Sequence, residues 1–238
     1  FGVLVNGDHA LITRNTISGQ HAPSADYGTD GSAVELYGAQ DTVVAYNIAR
    51  DNHTFSEIGG IPGTDESRGA TFAYNQVTSS QPGSKFVVVH AGDPFGRATG
   101  VRLIHNTAIL TGTGSEGFVC GPGCGTDTLT MTANLISATY QSGSVNGSYT
   151  QSHDLLSGAA PKCVVDHRTV PCPDRFVRDP LVDTSGPHVT LRTGSPAIDA
   201  GGAAPGYTVD IAGQPVPVDG NGTGGGGSDV GAWEHPAP

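Results

Sequence analysis

The stretch that decides the fold is residues 31–60, which read GSAVELYGAQDTVVAYNIARDNHTFSEIGG. Residues 33–37 alternate apolar and polar side chains, and this period of two predicts a β-strand with one face turned to a core. Short runs rich in apolar and β-branched residues at 41–47 and 55–58 predict two more strands. These three short strands, separated by turn residues, indicate an all-β region.

Segments outside this stretch repeat its central pattern. Five segments place an asparagine between two short apolar runs, and the asparagines recur every 28 to 32 residues. The segments are ALITRNTISG (Asn15), TVVAYNIARD (Asn47), ATFAYNQVTS (Asn75), VRLIHNTAIL (Asn106) and LTMTANLISA (Asn134). A further short strand is predicted before each asparagine, at 3–5, 33–37, 55–58, 86–90 and 117–120. Such a unit is one rung of a solenoid, in which equivalent strands stack about 4.8 Å apart.

The repeated asparagine suits the corner of a rung for two reasons. Asparagine tolerates the left-handed backbone conformation that a sharp bend requires. Its side-chain amide can also bond the equivalent asparagine one rung away, because an amide both donates and accepts. A ladder of amides is therefore expected along the solenoid.

These asparagine-centred rungs resemble the right-handed parallel β-helix proteins, a group that includes pectate lyases and many glycoside hydrolases. The resemblance covers residues 1–140 and implies an all-β fold class, a right-handed parallel β-helix. The C-terminal sequences LRTGSPAIDAGG and SDVGAWE resemble a segment that closes such helices in secreted bacterial proteins. Residues 141–238 are therefore assigned to a last rung or loop region followed by an irregular Gly- and Pro-rich cap. Within this region, 141–162 are expected to form a loop, and Asp199, Asp210 and Asp229 to bond backbone amides.

Composition limits the class of partner. The 238 residues include 36 Gly and 16 Pro, and only 14% are charged, which is typical of many short strands and turns. The formal net charge of −11 disfavours nucleic acid, and no apolar run reaches membrane-spanning length. The chain begins inside a rung, so upstream rungs of the same polypeptide or an oligomer partner are expected to cover its N-terminal end.

The four cysteines form two close pairs in sequence, Cys120 with Cys124 and Cys163 with Cys172. Four thiols in one chain can also bind zinc. Because the first pair is separated by Gly-Pro-Gly and no CxxC spacing occurs, two local disulfides are favoured. Disulfides predict a secreted, extracellular protein, and the resemblance implies a bacterial one.

Candidate chemistry lies on the outer face of the first strands. Their alignment turns inward Val3, Val5, Val34, Leu36, Ile58, Val87 and Val89, and it places Glu35, Tyr37, Glu57 and His90 outside. Flanking loops add Asp26, Tyr27, Asp30, Asp51, His53, Asp93 and Arg97. A row of carboxylates, imidazoles and aromatic rings suits carbohydrate, because sugar hydroxyls need planar acceptors and sugar rings stack on aromatic faces.

The favoured hypothesis is glycoside hydrolysis by Glu35 and Glu57. Two carboxylates one rung apart are expected about 5–7 Å from each other. Their repulsion is expected to raise one pKa, which makes a general acid beside a nucleophile or base. His53 and Tyr37 would orient the sugar or tune the pair, and the sequence does not decide which carboxylate is the acid.

The sequence leaves two alternatives open. In a polysaccharide lyase acting on a uronate polymer, His90 or Arg97 would be the base and Glu35, Glu57 and Asp51 would bind calcium. The scarcity of lysine on this face and the net negative charge count against a polyanionic substrate. The acidic loop 219–229 is a second calcium candidate, although a plain loop is favoured there. In a non-catalytic glycan-binding or adhesion module, the same carboxylates would be ordinary solvated residues.

Overall fold

The computed structural model describes residues 1–26, 28–61, 65–224 and 226–236. These residues form 28 short strands and no helix, so none of them belongs to a helix that could cross a membrane. In chain order the strands are β1 (Val3–Val5), β2 (Leu11–Thr13), β3 (Thr16–Ser18), β4 (Ala22–Ser24), β5 (Gly28–Asp30), β6 (Ser32–Tyr37), β7 (Val43–Ala45), β8 (Ile48–Arg50), β9 (Thr54–Ile61), β10 (Asp65–Arg68), β11 (Thr71–Ala73), β12 (Gln76–Ser79), β13 (Lys85–Val89), β14 (Ala91–Asp93), β15 (Gly96–Thr99), β16 (Val101–Ile104), β17 (Thr107–Leu110), β18 (Glu116–Cys124), β19 (Leu129–Thr132), β20 (Leu135–Ala138), β21 (Gln141–Gly147), β22 (Thr150–Ser152), β23 (Leu155–Gly158), β24 (Lys162–Val165), β25 (Arg168–Val170), β26 (Arg175–Phe176), β27 (Val182–Asp183) and β28 (Thr190–Leu191).

Most strands stack in three parallel sheets around one core. The first sheet contains the succession β1, β6, β9, β13, β18, β21 and β24. The second follows β2, β7, β11, β16, β19 and β22, and the third follows β3, β8, β12, β17, β20, β23 and β26. Because the chain visits the three sheets in turn, it forms a parallel β-solenoid of about five turns. The predicted fold class is confirmed.

Neighbouring rungs align as the hydrophobic alternation predicts. Leu36 pairs with Ile58, and Ile58 pairs with Val89, and all three side chains are buried. The same register pairs Glu35 with Glu57. A slip of one residue would turn the apolar set outward, so burial of the core decides the register.

An amide ladder runs along the solenoid, as predicted. Each Nδ2 donates to the Oδ1 of the next asparagine at 2.8–3.0 Å, through Asn15, Asn47, Asn75, Asn106 and Asn134. The last member is Asp154, which accepts from Asn134 Nδ2 at 2.7 Å. The ladder therefore continues one rung beyond the five asparagines found in the sequence.

The expectation that these asparagines adopt the left-handed conformation is wrong. The residue before each asparagine adopts it, with φ of 58° at Tyr46, 52° at Tyr74 and 48° at His105. The asparagine has to turn its amide into the ladder, so the bend is made one residue earlier. The preceding side chains remain outside the ladder and stack on one another, with ring centroids 5.8 Å apart for Tyr46 and Tyr74 and 4.9 Å apart for Tyr74 and His105.

Residues 141–162 do not form the predicted loop. Strands β21, β22 and β23 extend the three sheets by another rung, so the coiled part continues beyond residue 140. Gly143 pairs with Phe118, and a Cβ at position 143 would lie 2.4 Å from the Phe118 ring. The Phe118 ring of the neighbouring rung fills the core space beside Gly143. The segment therefore has glycine where a strand would normally carry an apolar side chain, and it lacks apolar alternation.

From residue 195 the chain is mostly irregular and packs along the outside of the solenoid. Asp199, Asp210 and Asp229 accept hydrogen bonds from backbone N–H groups, as predicted. In the acidic loop 219–229, the Asp219 carboxylate accepts from the backbone of Thr223 and Gly224 at 3.2 and 2.7 Å. These carboxylates therefore help to order a segment that has little regular structure.

The four cysteines form the two local disulfides that the sequence favoured. Cys120 is bonded to Cys124 and Cys163 to Cys172, with Cα atoms 5.8 and 5.4 Å apart. Because all four sulfurs are engaged in these bonds, they do not form the alternative zinc site.

Candidate functional site

A groove of about 940 Å³ runs along the outer face of the first sheet, across the first four rungs. Its floor is formed by β1, β6, β9 and β13, and the loops at both ends of these strands form its walls. Of the residues predicted for the site, Glu35, Glu57, His53, Tyr37 and Asp30 line this groove. Stacking of rungs has thus brought together side chains up to 27 residues apart in sequence.

Glu57 is held from two sides. His90 Nε2 lies 2.7 Å from Glu57 Oε1, and the Tyr37 hydroxyl donates to the same oxygen at 3.4 Å. The imidazole is itself buried, and its ring lies 4.9 Å from the ring of Phe95. A carboxylate with two neighbours of this kind is restricted to one orientation towards the groove.

A glycine makes this arrangement possible. Gly59 lies opposite Tyr37 in the β6–β9 pair, and His90 donates its backbone N–H to Ile58 in the same rung as Gly59. A Cβ at position 59 would lie 3.1 Å from the His90 ring, 3.3 Å from the Tyr37 ring and 2.5 Å from the Phe95 carbonyl oxygen. The absence of a side chain therefore lets both rings approach Glu57.

Glu35 is buried although it belongs to the outer face. Its side chain lines the groove, yet the residue is only 5% exposed, and Oε2 has no hydrogen-bond partner among the described residues. Burial raises the pKa of Glu35 to about 7, the Ser32 hydroxyl opposes this, and the charges of Glu57 and Asp30 add to it. The sequence predicted a raised pKa through repulsion between the carboxylates, but removal from water is the larger cause.

His53 and Asp30 form one side of the groove. Burial lowers the pKa of His53, and the nearby ammonium of Lys85 lowers it further, whereas the charge of Asp30 opposes both. Asp30 Oδ1 accepts a hydrogen bond from the Gly31 N–H at 2.8 Å, which holds the carboxylate at the end of the β4–β5 hairpin.

Asp51 does not join the other predicted residues. It adopts a left-handed conformation, with φ of 50°, at the corner after β8, and its carboxylate accepts from the backbone and hydroxyl of Ser80 at 2.9 Å. Because this carboxylate is turned to the next rung, the predicted calcium set of Glu35, Glu57 and Asp51 is not assembled. No group of three or more His, Cys, Asp or Glu side chains in the described part of the chain is arranged to hold a metal ion.

Arg97 and Asp26, which were also predicted for the site, do not line the groove. Arg97 is in an ion pair with Asp127 at 2.7 Å and does not line the groove. Asp26 is exposed at the turn between β4 and β5. Tyr27 lies outside the described residues, and so does the side chain of Asp93.

Three residues that matter for the groove were not predicted from the sequence: Asp8, which follows β1, Lys85 and Phe95. Lys85 lies opposite Thr54 in the β9–β13 pair, with Nζ 3.2 Å from the Gly83 carbonyl oxygen. Phe95 lies at the turn between β14 and β15, where its carbonyl oxygen accepts from Gly60 N at 2.7 Å. Lys85 is one of only two lysines and immediately precedes the predicted strand 86–90, a signal that was available in the sequence. No local sequence signal identifies Phe95, because its position depends on how the β14–β15 hairpin folds back.

Comparison of the chain with models of known protein families and with curated proteins finds no match. A function for this chain therefore has to be inferred from its fold and from the geometry of the groove.

Proposed function

We propose that this protein is a secreted carbohydrate-active enzyme that cleaves glycosidic bonds of a polysaccharide or oligosaccharide. Glu35 is the proton donor in this proposal, and Glu57 is the nucleophile or general base. The observation that carries it is the pairing of these carboxylates on neighbouring rungs of one groove, in different surroundings. Glu35 has a pKa raised to about 7, whereas Glu57 is oriented by His90 and Tyr37. The two disulfides support an oxidising compartment outside the cytosol.

The proposed reaction adds water across the bond between the anomeric carbon and the glycosidic oxygen. Glu35 gives its proton to that oxygen while the bond breaks. Glu57 either attacks the anomeric carbon or takes a proton from the water that does so. By either route one sugar gains the hydroxyl of water and the other gains a proton, and both carboxyl groups return to their starting states.

Substitution of either carboxylate by its amide tests the proposal. We expect Glu35→Gln and Glu57→Gln each to lower the rate by about 10²-fold or more, because an amide neither donates the proton nor acts as a base. Wild-type activity should fall as the pH rises through about 7, since Glu35 then loses its proton. The measurement is the appearance of new reducing ends on a glycan panel, with thermal unfolding of each variant recorded alongside.

Glu116→Gln is the matched control, because Glu116 lies in register with Lys85 on the same sheet but does not line the groove. It should keep wild-type activity. Products that absorb in the unsaturated-uronate band would contradict hydrolysis and favour a lyase. Binding of a glycan without any turnover would instead favour a non-catalytic glycan-binding module.

A further inference from the structure

Charge is distributed unevenly along the groove. Among the described residues that line it, carboxylates come from the first three rungs: Asp8 follows β1, Asp30 and Glu35 belong to the second rung, and Glu57 belongs to the third. The side-chain ammonium group among these described residues is that of Lys85, on the fourth rung. Neighbouring rungs are about 4.8 Å apart, so the negative and positive ends of the groove are separated along the solenoid axis.

The carboxylates at the negative end have no cationic partner in the described part of the chain. No ion pair there involves Asp8, Asp30 or Glu35. Glu35 adds an independent observation, since it is 5% exposed and its Oε2 lacks a hydrogen-bond partner among the described residues. Lys85 is likewise outside these ion pairs, and Nζ donates to the Gly83 carbonyl oxygen.

We propose that the groove binds an amino-sugar polymer with free ammonium groups, and that one ammonium lies against Asp30 on the second rung, two rungs from Lys85. For the cleavage of that polymer, though not for its binding, this inference rests on the glycosidase function proposed above. It names the chemical class of the substrate: a cationic hexosamine chain with a neutral sugar over the fourth rung.

The chemistry of the groove favours this class over a neutral or an acidic glycan. An ammonium group donates up to three hydrogen bonds, and charge-assisted bonds to carboxylates are roughly twice as strong as neutral ones. The net charge of −11 also attracts a polycation towards the protein at long range. A polyanion would meet the carboxylates of Asp8, Asp30 and Glu57, and Lys85 would repel an ammonium placed over the fourth rung. The exposed ring of Phe95 offers a stacking surface for the sugar itself.

The test compares two hexasaccharides that differ only in whether their amino groups are acetylated. Glucosamine hexamer carries free amines, and N-acetylglucosamine hexamer is its neutral counterpart. Binding to the wild-type protein is measured by calorimetry at mildly acidic pH, where the amines are charged, and reducing ends are assayed in parallel. We expect the glucosamine hexamer to bind about tenfold more tightly at low salt, an advantage that shrinks as salt is added. A galacturonate hexamer should bind more weakly than either.

Variants locate the ammonium within the groove. Asp30→Asn should weaken binding of the glucosamine hexamer about tenfold and leave the neutral hexamer unchanged. Lys85→Gln should strengthen binding of the glucosamine hexamer. The matched control is Asp26→Asn, because Asp26 is exposed in the same hairpin without lining the groove, and it should alter neither ligand. Thermal unfolding shows whether each variant remains folded.

The outcomes separate this inference from the proposed function. Equal or tighter binding of the neutral or galacturonate hexamer, or an equal effect of Asp30→Asn on both amino-sugar ligands, would overturn the inference. Cleavage of the neutral hexamer without any preference for the charged one would keep the glycosidase and reject this substrate class. A tenfold preference without new reducing ends would keep the binding inference and reject the glycosidase.

Discussion

Asp154 stands where the preceding rungs carry an asparagine. Its Oδ1 accepts from the backbone and side-chain nitrogens of Asn134, both at 2.7 Å. The other oxygen, Oδ2, is buried without a hydrogen-bond partner among the described residues. In the preceding rung the corresponding atom is Asn134 Nδ2, which also donates to the Leu103 carbonyl oxygen at 2.9 Å. Burial raises the pKa of Asp154 to about 8, so below that pH the carboxyl group is neutral.

Asp154→Asn should therefore stabilise the protein, most strongly at alkaline pH. In the wild type the folded-state pKa is raised from 3.8 to about 8, so stability is lost as the pH rises between these values and through the higher one. Asparagine does not titrate and supplies the donor that the ladder position requires. The check is the free energy of unfolding in urea at acidic and alkaline pH, where the gain should grow with pH. Asp26→Asn is the control, and a gain independent of pH would contradict the explanation.

At the scale of the element, packing between rungs decides which residues form a strand. β21 was missed because its inward residue is Gly143, and the ring of Phe118 occupies the space that a side chain would fill. Apolar alternation is a local signal, whereas here the buried surface belongs to the neighbouring strand. Packing between rungs also decides the conformation of the asparagine corners. The sequence predicted the amide ladder, but the residue that makes the bend depends on the direction in which the amide must point.

Gly143→Ala should destabilise the solenoid by about 1–3 kcal/mol, because the added Cβ would overpack the buried Phe118 ring. Adding Phe118→Leu should recover part of this loss by making room for the methyl group. The free energy of unfolding in urea measures both. Gly186→Ala is a suitable control, since no heavy atom lies within 4 Å of a Cβ at that position. Equal stability of Gly143→Ala and the control would show that this glycine is not required by packing.

At the scale of the whole molecule, the C-terminal segment is joined to the solenoid by a few buried side chains. Gln76, in β12, accepts from Val189 N and from Trp233 Nε1, both at 2.8 Å, and donates to the Pro187 carbonyl oxygen at 3.2 Å. Gln76 and Val189 are both buried, so water does not replace the hydrogen bond between them. One glutamine of β12 therefore contacts two distant stretches of the C-terminal segment.

Gln76→Ala should loosen this segment and leave the groove intact. The buried Val189 N–H and the partly buried Trp233 Nε1–H would lose their acceptor, at a cost of about 1–3 kcal/mol. We expect faster hydrogen exchange at residues 187–191 and 230–234, with unchanged exchange in β6 and β9. Gln81→Ala serves as the control, because Gln81 is only partly buried and lies outside these contacts. Unchanged exchange in the C-terminal segment would mean that other contacts are sufficient to hold it.

The sequence by itself determined the solenoid, the amide ladder, the two disulfides and the register that pairs Glu35 with Glu57. These features follow from alternation and spacing, which are properties of neighbouring residues repeated along the chain. Only the tertiary structure decided that Glu35 is buried, that His90 and Tyr37 reach Glu57 across Gly59, that Lys85 lies in the groove and that Asp51 does not. The physical reason is that side-chain surroundings depend on where loops and hairpins fold back, and those paths are set by contacts between residues distant in sequence.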